Sequence, residues 1–301
     1  MLRNLFSLLL VVLVAVSCGS KSGSDNVKTT KKPQNDSCVR IAVLPTLDAL
    51  PFFIANERGL FDKENLNVSL VPFNSHLDVD TALAGGSVDA AFSDLVRTER
   101  MKSHDGVDLQ YLTTTELNWS LVSNRTARIN KLDQLGDKMV AMTRWSATDY
   151  LTDKVFSAVK TKSQVYSVQI NDLDVRLKML LNNEMDAAWY PEPQATVAIS
   201  AGHKLLQGAD KNKEKLGVLA VRKQKGKKSI AGMENKLKTV YSAACDSINK
   251  NGIKAYAGEI AKYCHVSEDV AAKIPNHVFT HAEQPLEKNL LVAKQFKRND
   301  R

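Results

Sequence analysis

The sequence predicts an α/β protein with two similar lobes and a binding site between them. Two stretches follow one pattern: Leu83-Ala-Gly-Gly-Ser-Val-Asp-Ala-Ala-Phe92 and Leu180-Leu-Asn-Asn-Glu-Met-Asp-Ala-Ala-Trp189. Each runs from an apolar helix end through a Gly-Gly or Asn-Asn pair, residues that readily adopt the left-handed conformation that ends a helix. A short buried strand is expected next, followed by a polar loop. The alternative is that such helix–turn–strand patterns recur by chance in an α/β chain.

Strand-like and helix-like segments alternate along the folded part of the chain, which predicts βαβ units and a largely parallel sheet. Two further strands, at 119–123 and 217–221, are predicted to cross between the lobes, and the chain after residue 230 is predicted to be mostly helical. The other predicted strands are 38–44, 67–73, 88–92, 109–115, 138–142, 164–170 and 187–190, and the helices before residue 230 are 52–59, 78–84, 150–159, 172–181 and 194–201.

The N-terminal residues predict export and a lipid anchor. An arginine precedes an apolar run at residues 5–16, which is too short to cross a bilayer and is typical of the core of a signal peptide. The run ends in Ala-Val-Ser-Cys18, which resembles the lipobox of bacterial lipoproteins. Residues 1–17 are therefore predicted to be a signal peptide, and 18–37 a lipidated cysteine with a flexible polar tether. The alternative is a secreted protein that is cleaved elsewhere and carries no lipid on Cys18.

Composition narrows the possible partners and cofactors. The 301 residues are 44% hydrophobic and 25% charged, as in a soluble globular protein, with a formal net charge of +8. Lysines are spread along the chain, and the one tight basic run, Lys223 to Lys228, is predicted to be a solvated loop, so no nucleic-acid partner is expected. The six histidines form no zinc pattern, and neither a metal nor a cofactor is expected.

Three cysteines, Cys38, Cys245 and Cys264, remain besides the predicted lipid-bearing Cys18. At most one disulfide is possible among them. Either Cys245 pairs with Cys264 in an oxidising compartment, or all three are small buried residues.

Four motifs follow one another in the segment from residue 40 to residue 291. They are Leu50-Pro-Phe-Phe-Ile-Ala-Asn-Glu-Arg-Gly-Leu-Phe61 with Leu66-Asn-Val68, Ala82-Leu-Ala-Gly-Gly-Ser-Val-Asp-Ala-Ala91, Leu132-Asp-Gln-Leu-Gly-Asp-Lys-Met-Val-Ala141, and Met185-Asp-Ala-Ala-Trp-Tyr-Pro-Glu-Pro193. In this order and spacing they resemble the solute-binding components of ABC importers in the NMT1/THI5-like group, which includes sulfonate, taurine, nitrate and thiamine-precursor binding proteins.

The resemblance implies a two-lobed type II periplasmic-binding-protein fold with a ligand cleft between the lobes. Lobe 1 would comprise residues 38–117, and lobe 2 would comprise 118–221 with hinge-crossing strands at both ends. Residues 222–301 would return to lobe 1 and add C-terminal helices. The protein would be lipid-anchored in the cell envelope on its extracytoplasmic side, the periplasmic side in a Gram-negative cell.

The implied function is capture of a small organic solute and its delivery to an ABC permease with its ATPase subunits, by a monomer that has no enzymatic activity. The favoured solute is heterocyclic or amine-bearing, similar to a thiamine precursor, and the alternative is nitrate or an organosulfonate. Two other functional classes are an enzyme of the thiamine-pyrimidine synthesis type and an envelope sensor lipoprotein. The enzymes of this kind are intracellular, which does not fit an exported chain.

The predicted ligand-binding residues come from loops at the carboxyl ends of strands, where open α/β sheets bind ligands. They are Thr46, Leu47, Asp48, Leu50, Ser93 and Asp94 on lobe 1, and Arg144, Trp145, Ser146, Ala147, Thr148, Tyr190 and Glu192 on lobe 2. Amides at the helix start near Ala147 are suited to a negative group. Carboxylates such as Asp48, Asp94 and Glu116 favour an amine-bearing solute, whereas Arg144 favours an anion. Trp145 is expected to stack on the ligand, and Glu192 has either a structural or a ligand-binding role.

Overall fold

A computed structural model describes residues 38–223 and 232–296. The predictions of a signal peptide, a tether and lipidation at Cys18 lie outside these residues, as does most of the basic run at 223–228. The described strands are β1 (Val39–Val43), β2 (Val68–Pro72), β3 (Ala90–Asp94), β4 (Leu109–Thr114), β5 (Ser120–Ser123), β6 (Met139–Met142), β7 (Tyr166–Gln169), β8 (Ala187–Tyr190), β9 (Lys204–Gln207) and β10 (Gly217–Arg222). The described α-helices are α1 (Leu50–Glu57), α2 (Leu60–Lys63), α3 (His76–Gly85), α4 (Leu95–His104), α5 (Ala147–Ala158), α6 (Leu173–Leu181), α7 (Gln194–Ser200), α8 (Glu234–Asn251), α9 (Ala257–Cys264), α10 (Glu268–Ala271) and α11 (Glu287–Gln295).

In the described part of the chain the strands form two five-stranded sheets. The first has the order β2-β1-β3-β10-β4, and the second has the order β7-β6-β8-β5-β9. Each sheet contains three neighbouring parallel strands. β1 pairs in parallel with β2 and β3 in the first sheet, and β6 pairs in parallel with β7 and β8 in the second. β10 and β5 pair antiparallel with both of their neighbours. In each sheet four strands run in one direction and the strand that enters from the other sheet, β10 or β5, runs in the opposite direction. The strands are therefore largely parallel, as predicted, although both sheets are mixed.

The return of the chain to the first sheet occurs earlier than the sequence suggested. Gly217–Arg222 lies wholly in the first sheet, with Gly217 opposite Asp94, whereas the sequence analysis had placed this strand in lobe 2. Gly217 is required by a close approach: a Cβ atom there would lie 2.5 Å from the Cβ of Leu117 and 2.5 Å from Thr115 Oγ1. The two segments that connect the sheets are thus packed against each other at this point.

The repeated sequence pattern corresponds to a repeated structural device. Helices α3 and α6 each precede a left-handed residue, Gly86 (φ 76°) and Asn183 (φ 64°), and then a central strand. In the first copy Asp89 Oδ2 accepts a hydrogen bond from Arg40 N at 2.9 Å. In the second copy Asp186 Oδ2 accepts from Met139 N, also at 2.9 Å. Each aspartate therefore fixes the start of the neighbouring parallel strand, which confirms the repeat.

The apolar core of the first sheet contains aromatic pairs and both C-terminal cysteines. Phe52 lies edge-to-face with Phe92 and Tyr241, at ring-centroid distances of 5.6 and 5.9 Å. Cys245 and Cys264 are buried free thiols in the same core. No disulfide joins them, and the alternative of small buried residues holds for these two cysteines, whereas Cys38 is exposed. Within the described ranges, no helix combines the length and the apolar character needed to span a membrane.

Candidate functional site

The carboxyl ends of the two sheets face each other and are in contact. Leu47 N, in the loop after β1, donates to the carbonyl of Glu192 at 2.9 Å. Gln194 Nε2, at the start of α7, donates to the carbonyl of Pro45 at 2.8 Å. Further out, Leu173 N donates to the carbonyl of Asn74 at 3.1 Å. The loops predicted to line a cleft thus meet across it, and the structure is in a closed arrangement.

Asp48 is held in this contact region by two hydroxyl groups. Thr46 Oγ1 donates to Asp48 Oδ1 at 2.6 Å, and Thr115 Oγ1 donates to Asp48 Oδ2 at 3.2 Å. The side chain is buried, and burial raises the pKa of Asp48 to about 6 against these hydrogen bonds. The two hydroxyls donate hydrogen bonds to the carboxylate but do not neutralise its negative charge. The site is therefore suited to a cationic partner.

Asp48 opens onto a cavity of about 470 Å³, which we call the acidic cavity. Its lining includes four carboxylates, of Asp48, Glu116, Glu192 and Asp210, and contains neither lysine nor arginine among the described residues. Glu116 is partly balanced from outside by Lys215, whose Nζ lies 3.5 Å from its Oε1. The volume is within the range typical of small-molecule sites.

The acidic cavity is bounded on one side by the two segments that connect the sheets. Asn118 Nδ2 donates to the carbonyl of Ala209 at 2.9 Å. Asn212 Nδ2 donates to Asn118 Oδ1 at 2.7 Å and to the carbonyl of Trp119 at 2.8 Å. Side-chain amides therefore tie the outgoing segment to the returning one.

Asp94 makes a further direct contact between the sheets. Its Oδ1 accepts from Arg97 N at 3.0 Å, which caps α4, and from Ala147 N at 3.1 Å, at the start of α5 on the other sheet. Its Oδ2 and the hydroxyl of Ser93 are buried without a hydrogen-bond partner. Burial raises the pKa of Asp94 to about 6, against the opposing effect of the nearby Arg97 guanidinium.

The loop between β6 and α5 is held together mainly by its own residues. Ser146 caps α5 by accepting from Thr148 N at 3.1 Å and donates to the carbonyl of Thr143 at 2.7 Å. Thr148 Oγ1 accepts from Thr143 N at 3.0 Å. Ser146 and Thr148 therefore shape the loop, whereas Ala147 N is the amide that reaches the first sheet.

Arg144 and Trp145 lie elsewhere, in a groove of about 450 Å³ that we call the arginine groove, after Arg97, Arg100 and Arg144 in its lining. The Arg100 guanidinium carbon lies 4.6 Å from the centre of the Trp145 ring. Trp145 is 37% exposed and has a φ of 56°. Of the predicted residues, Leu47, Asp48 and Glu192 line the acidic cavity and Arg144 and Trp145 line the arginine groove, whereas the other eight line neither.

Two of the predicted residues are occupied with packing. The Tyr190 hydroxyl donates to the carbonyl of Arg176 at 2.7 Å, and its ring is fully buried against α6 and α7. Leu50 begins α1 in the apolar core of the first sheet. Glu192 has a structural contact, because its Oε2 accepts from Thr196 N at 3.1 Å, and the residue also lines the acidic cavity.

Several buried polar residues at the contact between the sheets were not predicted. Arg176 is 1% exposed, and its guanidinium donates to the carbonyls of Trp189 and Ile170 and to the hydroxyl of Thr143. Burial lowers the pKa of Arg176 to about 10, so it remains charged at neutral pH. Buried nitrogen or oxygen atoms of His76, Gln194 and His277 have no partner. Arg176 had a sequence signal, since it lies on the apolar stripe of α6 with Leu173 and Leu180.

Comparisons with known proteins identify the fold. The aliphatic sulphonate binding protein SsuA from Escherichia coli superposes with a TM-score of 0.67 at 16% identity, covering 86% of this chain and 84% of that one. The alkanesulfonate-binding protein SsuA from Xanthomonas axonopodis pv. citri bound to MOPS gives 0.70 at 14% identity, covering 86% and 90%. The nitrate-binding protein NrtA from Synechocystis PCC 6803 gives 0.65 at 14% identity, covering 82% and 74%. The fold is therefore the two-lobed α/β fold of periplasmic binding proteins, as predicted.

The family follows from the sequence itself. The NMT1/THI5-like family model matches residues 46–207, which is more than half of the chain. The chain belongs to the NMT1/THI5-like family, as its four motifs indicated. A sequence search among curated proteins found no match.

Proposed function

We propose that this protein is the substrate-binding lipoprotein of an ABC importer, which captures a small organic solute between its lobes and delivers it unaltered to a membrane permease. The observation that carries the proposal is that polar atoms of both sheets are buried without hydrogen-bond partners where the sheets meet. Ser93 Oγ and Asp94 Oδ2 from the first sheet and Gln194 Oε1 from the second are buried without partners. Such atoms are costly unless a ligand or water satisfies them.

The proposed solute is a heterocyclic or amine-bearing compound, similar to a thiamine precursor, with nitrate or an organosulfonate as the alternative. The support for this choice is the charge of the acidic cavity, where Asp48 lies beside Glu116 and Glu192 with neither lysine nor arginine in the described lining. A cationic nitrogen there would donate a charge-assisted hydrogen bond to the Asp48 carboxylate. A nitrate or sulfonate would meet like charge.

The proposal includes the division into lobes and the route to the membrane. The first sheet and the C-terminal helices would move as one body and the second sheet as the other, closing on the solute in the manner of hinged binding proteins. Cleavage before Cys18 and lipidation of that cysteine would hold the monomeric body on the extracytoplasmic face of a membrane, beside the permease. A Cys18→Ser variant is then expected to leave the membrane fraction and to lose labelling by a fatty-acid analogue.

Thermal unfolding against a solute panel tests the binding function. Amine-bearing pyrimidines and thiazoles are compared with nitrate, methanesulfonate and taurine, each at the same concentration and ionic strength. A solute at 100 times its Kd stabilises the folded protein by about 2.7 kcal/mol, which raises the Tm by several degrees. Stabilisation by cationic heterocycles alone supports the proposal, and stabilisation by anions alone contradicts the solute class.

Two controls separate the solute-binding function from its alternatives. Asp133 is an exposed carboxylate outside the acidic cavity, so Asp133→Asn is expected to leave the solute response intact whereas Asp48→Asn abolishes it. Mass spectrometry of the stabilising solute after long incubation is expected to recover it unchanged. A chemically altered solute would instead indicate an enzyme.

A further inference from the structure

We propose that Asp94 is a specificity-determining residue: its carboxylate occupies the amide position at the start of α5 that a small anion would otherwise use, and thereby excludes anionic solutes. This inference rests on the proposed site but concerns which solutes the site rejects. Asp94, a residue of the chain itself, thus occupies the place of a bound anion.

The start of α5 is a position that favours negative charge. Helix α5 spans twelve residues, and the partial positive charge at its N-terminus attracts anions. The amide of Thr148 is taken by the capping hydroxyl of Ser146. The amide of Ala147 is directed across the contact to the first sheet, where it meets Asp94 Oδ1 at 3.1 Å.

Asp94 is itself positioned at the start of a second helix. Its Oδ1 also accepts from Arg97 N, in the first turn of α4. One buried carboxylate thus lies between two helix N-termini that belong to different sheets, and both of them stabilise its charge. An anion entering here would have to displace Asp94 from the Ala147 amide and would face the repulsion of a second negative charge.

The unpartnered atoms around Asp94 show what the position accepts. Asp94 Oδ2 is buried and aimed into the contact without a hydrogen-bond donor, and so is the hydroxyl of the adjacent Ser93. A carboxylate oxygen in this state needs a donor. The position therefore selects a solute with an N–H group and rejects one whose exposed atoms are all acceptors.

The neighbouring positive charge does not restore an anion site. The Arg97 guanidinium, which approaches this region, forms an ion pair with Asp80. Both of these side chains line the arginine groove, which has no lining residue in common with the acidic cavity. The amide resonance of Ala147 distinguishes anion binding at the start of α5 from anion binding in that groove.

The test follows the ¹⁵N amide resonance of Ala147 while methanesulfonate or nitrate is added at constant ionic strength. In Asp94→Ser the short side chain still caps α4 but leaves the Ala147 amide without its partner. This variant is expected to bind methanesulfonate at least about 100-fold more tightly than the unsubstituted protein, judged by the saturation of the Ala147 shift. Asp172→Ser is the matched control, because Asp172 also caps a helix, α6, by accepting from Val175 N at 2.9 Å.

Asp94→Asn provides a second variant that keeps the shape and removes the charge, and its gain is expected to be smaller than that of Asp94→Ser. The proposal is overturned if the unsubstituted protein shifts the Ala147 resonance with the same anion affinity, or if neither folded variant gains anion binding. A failure of every cationic solute in the thermal panel would contradict the proposed function and leave this result intact.

Discussion

Replacing Asp48 by asparagine is expected to stabilise the empty protein while abolishing the binding of a cationic solute. The substitution keeps the size of the side chain and its contacts with Thr46 and Thr115, because one hydroxyl can donate to the amide oxygen while the other accepts from the amide nitrogen. What it removes is a negative charge that burial disfavours. A site residue that is unfavourable for folding but required for binding gives opposite signs in the two measurements.

The magnitude follows from the pKa. Burial raises the pKa of Asp48 from 3.8 to about 6. Since one pKa unit corresponds to about 1.4 kcal/mol, the charged form costs the folded protein roughly 3 kcal/mol at pH 7.5. The folded-state pKa lies above the unfolded value. The folded protein therefore has its full stability below about pH 4, where Asp48 is protonated, and loses roughly this amount as the pH rises through about 6. Asp48→Asn should therefore raise the Tm by roughly 5–10 °C at pH 7.5 and by much less at pH 4.

Thermal unfolding between pH 4 and pH 8, with and without the stabilising solute, measures both effects. The solute response of the unsubstituted protein is expected to fall about tenfold in affinity for each pH unit below about 6, because Asp48 must lose its proton to accept a cation. Asp133→Asn, an exposed substitution, should follow the unsubstituted protein throughout. The reasoning is refuted if the stability that Asp48→Asn gains over the unsubstituted protein is smaller at pH 7.5 than at pH 4. It is also refuted if the variant retains the solute affinity.

Four further substitutions test the fold by urea denaturation. Gly217→Ala is expected to destabilise the protein by about 1–3 kcal/mol, since the added Cβ would lie 2.5 Å from Leu117 Cβ; an unchanged midpoint would contradict the close approach. Arg176→Met leaves the carbonyls of Trp189 and Ile170 without their donor and should cost at least about 2 kcal/mol, whereas a neutral effect would show that water replaces the guanidinium. Asp186→Ala should cost about 1 kcal/mol through loss of the Met139 amide contact. Asp89→Ala should cost more, because Asp89 also pairs with the Arg40 side chain at 3.1 Å, and equal losses would argue against that ion pair.

The sequence was informative where local patterns determine the structure. The two aspartates at 89 and 186 mark the same turn in both copies of the repeat, because the left-handed residue, the buried strand and the amide cap are encoded within a few positions. Helix α4 was not predicted, since it carries Arg97, Thr98 and Glu99 on its buried side and so lacks an apolar stripe. For the same reason Asp94 was interpreted as a loop residue, although it caps that helix. Strand β9 was missed because it is short and half-exposed at a sheet edge.

The arrangement of the candidate site depends on features that local sequence patterns do not predict. The loop at Arg144 and Trp145 was placed correctly after β6, but both residues line the arginine groove, and Trp145 has a left-handed φ. Bulky residues rarely adopt this conformation, so sequence patterns do not anticipate it. The acidic cavity combines Asp48 with Glu192 and with His277, which lies far along the chain, and such combinations follow only from how the sheets meet.

If the lobes open as proposed, the amide ties among Asn118, Ala209 and Asn212 would restrict how they separate. Two independent linkers would let the bodies both twist and swing, whereas linkers fastened side by side bend together about one shared axis. Entry of a solute would then change a single angle between the bodies. A receptor on the membrane that measures this angle would respond in the same way to every solute that allows full closure, irrespective of its chemistry.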